Sequence, residues 1–310
     1  MIYQFEKLNF RQIDSLKRDK TAFFIPISPL EEHGPHLPVG VDAFNADFFA
    51  RVAAEELQKE RQDWDFVIHP LLPVGTQVFK MVGSICLSQS VIRDLITGIG
   101  SAIAIYGFKY IVVFSFHGAP GQIVALEEAC NKVSKKYNAN MISLTSGLAE
   151  KFLSGGFRSD FEKEMGREFT DEEKRLFNDD RHAGWWETSM MLKMNPELVS
   201  DEYKKLEPIL VPFDDLKQAS EVLKSRKVGY FGAPHKASAE FADISIRILN
   251  KTGLDIINRF LNGEDVSSEV TSKFYKLPWL RTGFKRKVTM SIIVSIKIMV
   301  IIYLLRAYFQ

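Results

Sequence analysis

The sequence predicts an α/β fold in which a mostly parallel sheet is covered by helices on both faces. Two observations carry this. Apolar runs of strand length recur at 21–27, 66–73, 110–116 and 140–145, and segments with helical spacing separate at least three of them. A third observation places a site on that frame. The first run leads straight into Pro29-Leu-Glu-Glu-His-Gly-Pro-His-Leu-Pro-Val-Gly-Val-Asp42, where Glu31, His33, His36 and Asp42 stand among Gly34, Gly40, Pro35 and Pro38. So much glycine and proline forbids a regular helix or strand, so this is a loop with dictated backbone angles. Open α/β sheets bind ligands in loops that leave the carboxyl ends of buried strands.

Taken in order, Leu8 to Lys17 has helical spacing and leads into a buried strand at Ala22–Ile27. After the loop, Phe44, Phe48, Val52, Ala53 and Leu57 mark an amphipathic helix over Ala43–Lys59. A second strand begins at Phe66. A helix follows from Ser88 to Tyr106, with Gly107 as its left-handed stop. Tyr110–Phe116 is apolar throughout, as expected of a strand covered on both faces, and it runs into His117-Gly-Ala-Pro-Gly121 and a helix over Ile123–Lys135. A fourth strand starts at Asn140. The charged stretch 150–181 reads as an insertion that covers the site or builds an oligomer contact. Arg181-His-Ala-Gly-Trp-Trp-Glu-Thr-Ser189 then opens a helix that continues through Met194, and Ala239–Leu261 is the last helix of the body. No linker interrupts residues 1–262, which read as one domain, followed by a basic linker over 263–287 and an apolar tail over 288–306.

Composition narrows the function. The chain has 310 residues, is 46% hydrophobic and 25% charged, and carries a net charge of +1. The tail region holds Arg281, Lys285, Arg286, Lys287, Lys297 and Arg306 with no acid, so the body is mildly acidic. A nucleic-acid binder needs a basic face to neutralise phosphates, which excludes that class. Cys86 and Cys130 have no paired spacing and read as reduced core residues of a cytosolic protein. The first residues lack a signal-peptide pattern, so export is not expected. Val288–Leu305 would span about 27 Å as a helix, enough for a bilayer core, and its basic flank suits a membrane tail anchor. Lys297 in mid-span opposes insertion by about 3 kcal/mol.

Carboxylate and imidazole together are ligands for Zn, Mn or Fe rather than for Mg or Ca alone. Glu31, His33, Asp42 and His117 supply that chemistry for a pair of divalent ions, with Asp42 as the natural bridge. Such a pair polarises a carbonyl and makes a water acidic enough to ionise near neutral pH, which suits amide hydrolysis. His36 is expected to orient the loop or a ligand by a hydrogen bond rather than to bind metal. A dinucleotide site is not supported, because neither Gly34 with Gly40 nor Gly118 with Gly121 has the required spacing.

Glu31, His33, Gly34, His36, Leu37, Pro38 and Asp42 make the sequence resemble the creatininase (creatinine amidohydrolase) family. Val113-Phe-Ser-Phe-His117 is similar to the family's third block, and His182-Ala-Gly184 with Glu187-Thr-Ser189 to its fourth. Gly229-Tyr-Phe-Gly232 with Pro234 is similar to a weaker C-terminal block. The resemblance implies a three-layer αβα sandwich, commonly a hexamer, and metal ligation by Glu31, His33, Asp42 and His117. It implies that His182 contacts substrate or relays a proton, and that Glu187 binds the second metal or assists at the site. Creatinine hydrolases place a Tyr and a Glu after the third-block histidine, and that Glu binds metal. Here Gly118 and Ala119 stand instead, so creatinine is not the expected substrate. Either Glu187 takes over the second ion, or one ion binds, or activity is lost. Gln77 and Lys80 replace the family's usual His and Phe, with Lys80 read as a surface residue. The expected function is a metal-dependent amidohydrolase acting on a small cyclic amide or formamide-type substrate. The alternative is a degenerate scaffold or binding protein tethered to a membrane.

Overall fold

The structure, a computed structural model, describes residues 1–211, 228–284, 288–290 and 299. Its centre is a sheet of β1 (Ile2–Gln4), β2 (Thr21–Pro26), β3 (Asp65–Ile68), β4 (Tyr110–Phe114) and β5 (Asn140–Ser143). The strands run in the order β1-β3-β2-β4-β5, and every neighbouring pair is parallel. Parallel strands are joined by crossovers that bury both faces, so their sequences are apolar throughout rather than alternating. All six residues of β2 are buried.

The side-chain period of two sorts these residues into two cores. Ala22, Phe24, Phe66, Ile68, Val112 and Phe114 point to one face, where α2 (Val41–Glu60), α8 (Trp185–Met194) and α9 (Ala239–Leu261) pack. Phe23, Ile25, Val67, Ile111, Val113 and Met141 point to the other, against α3 (Gln89–Ala104) and α4 (Pro120–Lys136). The result is the three-layer αβα sandwich expected from the sequence. Helix starts follow local chemistry. Ser88 and Ser238 accept the Val91 and Phe241 amides at the starts of α3 and α9, and Pro120 opens α4, where a missing N–H costs nothing.

The differences from the sequence reading lie at short or composite elements. β1 has only three residues, too few for a pattern to show, and gains its place by pairing Ile2, Tyr3 and Gln4 with Phe66, Val67 and Ile68. The charged stretch 150–181 is not merely a cover. With α5 (Thr145–Leu153), α6 (Arg158–Met165) and α7 (Asp171–Asn178), it sends Phe157, Phe161, Phe169, Leu176 and Phe177 into the first core. Both cysteines are free, but only Cys130 is buried, and Cys86 is exposed. Beyond α9 the chain lies against α3 and α4. Ser272 donates to Glu127 through its amide (2.7 Å) and hydroxyl (3.2 Å), the Thr282 amide donates to Glu128 (3.1 Å), and Gln89 Nε2 donates to the Leu280 carbonyl (2.9 Å). Most of the apolar tail expected over 288–306 lies outside the described residues. Among those described, no helix is long and apolar enough to cross a membrane.

Topology fixes where a site can form. The connection after β2 runs through α2 on one face to β3, while that after β4 runs through α4 on the other face to β5. The loops leaving these two adjacent strands therefore diverge, opening a crevice at the carboxyl ends of β2 and β4.

Candidate metal centre

The loop after β2 is held open by its own backbone. The Glu31 amide donates to the Val39 carbonyl (3.0 Å), Gly34 turns through a left-handed φ of 73°, and the Ile85 amide donates to Leu30 (2.9 Å). This folds Glu31 and His33 inward and delivers Asp42 in the first turn of α2. From β4, Phe116 is tied back by its amide to Ser28 Oγ (2.9 Å), and Ser115 by its amide to Thr145 Oγ1 (2.7 Å). His117 is thereby set beside the first loop. His182 arrives by a two-way bridge with Phe231, at 2.9 and 2.7 Å, and Glu187 follows in the first turn of α8.

Two groups result. Glu31, Asp42 and His117 present donor atoms within 4.8 Å of one another, and so do His33, His182 and Glu187. His117 Nδ1 lies 3.1 Å from Glu31 Oε2 and 3.2 Å from Asp42 Oδ2. His33 Nε2 lies 3.5 Å from Asp42 Oδ1 and 3.6 Å from Glu187 Oε2. The two Asp42 oxygens thus face different groups. Every sequence-singled residue (Glu31, His33, Asp42, His117, His182 and Glu187) is gathered here. His36 belongs to neither group. It is buried, shares a hydrogen bond with Thr188 Oγ1 (2.9 Å) and meets Tyr230 edge-on. Lys80 is exposed, and Gln77 accepts the Gly121 amide.

The ring nitrogens are sorted by their partners. A carbonyl can only accept, so the nitrogen facing one carries the hydrogen. His33 Nδ1 faces Glu31 O (3.0 Å), His117 Nε2 faces Thr76 O (3.1 Å) and His182 Nε2 faces Glu32 O (2.7 Å). In each ring the other nitrogen is left for a ligand, the arrangement in which metal-binding histidines are oriented. With the rings neutral, Glu31 Oε2, His33 Nε2 and Asp42 Oδ2 are buried without a hydrogen-bond partner. Buried polar atoms without partners are costly, and divalent cations would satisfy all three. The residues present therefore fit a metal centre.

Electrostatics agree. Burial opposes charge at His33 and His117, but the surrounding carboxylates overcome it. Glu187 and Asp42 raise His33 well above its ordinary value, and Glu31 and Asp42 do the same for His117. Despite burial, Asp42 is lowered by His33 and His117, and Glu31 by His117 and His182. Without metal, protons therefore occupy the imidazoles between the carboxylates. A metal ion must displace them, so metal affinity should rise with pH, by up to about tenfold per unit for each proton released. Zinc titrations against a competing chelator at pH 6 and pH 8 check this, and equal affinities would contradict it.

Sequence reasoning missed Asp180. Its carboxylate is buried and accepts the Trp185 (2.7 Å) and Trp186 (2.8 Å) amides at the start of α8, fixing the helix that carries Glu187. Burial pushes the carboxyl up to about 7 against the lowering effect of those amides. A Cβ on Gly184 or Gly232 would stand 1.8 or 2.1 Å from Asp180 Oδ1, which is why glycine holds both positions. The only signal was an acid before a helix start, five residues away rather than at the usual capping distance. Asp180→Ala should cost about 2 kcal/mol by orphaning two buried amides. Thermal unfolding measures this.

A parallel sandwich with buried carboxylate–imidazole groups at its switch point defines the class as α/β proteins built to hold metal. The family model described as creatinine amidohydrolase matches residues 6–252, and the chain belongs to the creatininase family. Among solved structures, a tryptophan-to-alanine mutant of creatininase matches with a TM-score of 0.62 at 16% identity, covering 83% of this chain and 97% of that one. A manganese creatininase matches at 0.60 and 15%, with coverages of 83% and 97%. A putative creatinine amidohydrolase from Bacteroides fragilis matches at 0.59 and 19%, with coverages of 85% and 98%. At these identities the likeness shows the fold. No curated protein matches the sequence.

Proposed function

We propose that the chain is a metal-dependent amidohydrolase that cleaves a C–N bond of a small cyclic amide or formamide-type substrate by means of a metal-activated water. The observation that carries this is the position of Asp42 between two donor groups, with Glu31 Oε2, His33 Nε2 and Asp42 Oδ2 buried among them without a hydrogen-bond partner. Glu31 Oε2, Asp42 Oδ2 and His117 Nδ1 would hold one divalent ion. His33 Nε2, Asp42 Oδ1 and Glu187 would hold a second, so that Glu187 replaces the ligand lost at Ala119. Zn, Mn or Fe bound there would supply Lewis acidity to a carbonyl oxygen and to a water.

The chain's own side chains do the rest. His182, held by Glu32 O, stands with its ring centroid 4.2 Å from that of His33 and is placed to pass a proton to the departing nitrogen. Phe79 packs against His182 at 4.9 Å and donates its amide to Glu31, so one residue both walls the site and fixes a ligand. The Ala183 amide donates to Glu187 and steadies that carboxylate.

The test is a screen of cyclic amides and formamides with zinc- or manganese-loaded chain, reading released amine or acid. Turnover abolished by chelation and restored by metal supports the reading. A chain that binds no metal and turns over no substrate would instead be the degenerate scaffold.

A further inference from the structure

We infer that the cavity adjoining the metal groups binds an apolar arm of the substrate, an uncharged acyl or aryl group of about phenyl size; this rests on the amidohydrolase reading above. The cavity has a volume of about 110 Å³ and runs between α2, α5 and α9 beneath the carboxyl ends of β4 and β5. His182 and Glu187 line one part of it, so it is continuous with the centre where the C–N bond would sit. Gly118 lines it as well, with no side chain to fill the cavity at that position.

The walls set the chemistry of the occupant. Every charged or imidazole side chain on the lining comes from residues 180–187, and the remainder is apolar apart from Thr145 and Asn250. Phe116 lies flat between Phe49 (4.5 Å, 13°) and Trp186 (6.0 Å, 8°), which gives a stiff aromatic wall. Leu148, Phe152 and Leu254 are half-buried, so the cavity reaches towards the surface through α5 and α9. A space of this kind gains nothing from a small polar substrate, because its lining atoms would have no partners and water would find few hydrogen bonds. A dry cavity of roughly 150 Å³ accepts benzene, which sets the scale for the arm.

The test compares two chelators with the same metal-binding head, acetohydroxamate and phenylacetohydroxamate, by calorimetric titration of zinc-loaded full-length chain. The phenyl arm should tighten binding about 30-fold or more, as expected for burying an apolar group of that area. In Ala149→Trp, which places an indole on the cavity lining, the ratio should fall towards one. Equal affinities in the unmodified chain would overturn the inference, with no variant needed. If neither hydroxamate binds, the metal reading fails instead. Toluene then decides the cavity on its own: it should raise the melting temperature of chelator-treated chain but not that of Ala149→Trp, and no shift in the unmodified chain would overturn the inference.

Discussion

Asp42→Asn is expected to remove both metal ions and to lower hydrolysis by about 1000-fold or more, equivalent to about 4 kcal/mol of transition-state stabilisation. The substitution keeps the shape of the side chain but turns one oxygen into an amide NH2. Oδ1 lies 3.5 Å from His33 Nε2 and Oδ2 lies 3.2 Å from His117 Nδ1, so whichever oxygen is replaced, a donor now faces an imidazole nitrogen. That nitrogen would accept a hydrogen bond instead of binding metal. The shared negative charge is also lost, and with it the group that offsets two adjacent cations. Glu31→Gln makes the contrast, because Glu31 meets His117 in one group only and its loss should empty that group alone. Metal content measured on purified variants reads both results. Full metal content in Asp42→Asn would end the bridging account. A thermal melt guards against unfolding, since the carboxylate's favourable place in the first turn of α2 is worth about 0.3–1 kcal/mol.

Much of this arrangement was legible in the chain because the signal is local. The loop from Glu31 to Asp42 combines ligand chemistry with glycines and prolines that exclude regular structure, and β2, β3 and β4 are apolar enough to be found without alignment. Long-range pairing was not legible. Nothing in Ile2–Gln4 says that it lies beside Asp65–Ile68, and nothing in the charged run around Arg158–Asn178 says that its phenylalanines meet Phe241 and Trp185. The partition of the site into two groups was equally hidden. His33 and Asp42 are nine positions apart, yet His33 joins Glu187 from a distant helix while His117 joins Glu31. Spacing can nominate ligands, but their grouping follows from how loops on opposite sides of the switch point fold back. Asp180 shows the same limit. Its role depends on the helix start at Trp185 and on two glycines, one of them more than fifty positions away.

His182→Ala is expected to lower kcat by about 100- to 1000-fold, the range of general acid–base catalysis, while both metal equivalents remain. Three donors already attend each ion in the proposed scheme, and His182 is anchored elsewhere, through Nε2 to the Glu32 carbonyl. Its other nitrogen remains for the substrate side, where His182 and Glu187 line the cavity together. An imidazole fixed by a carbonyl at one nitrogen and free at the other can accept a proton there and give it up to a leaving nitrogen. Phe79 and His33 pack on the ring at 4.9 and 4.2 Å, which holds its plane and limits water around it. Removing the imidazole should therefore leave KM little changed, and added imidazole should restore part of the rate. Loss of one metal equivalent would give a different answer: His182 would then be a further ligand of the His33–Glu187 group, and the proton would have to travel by way of Glu187 instead.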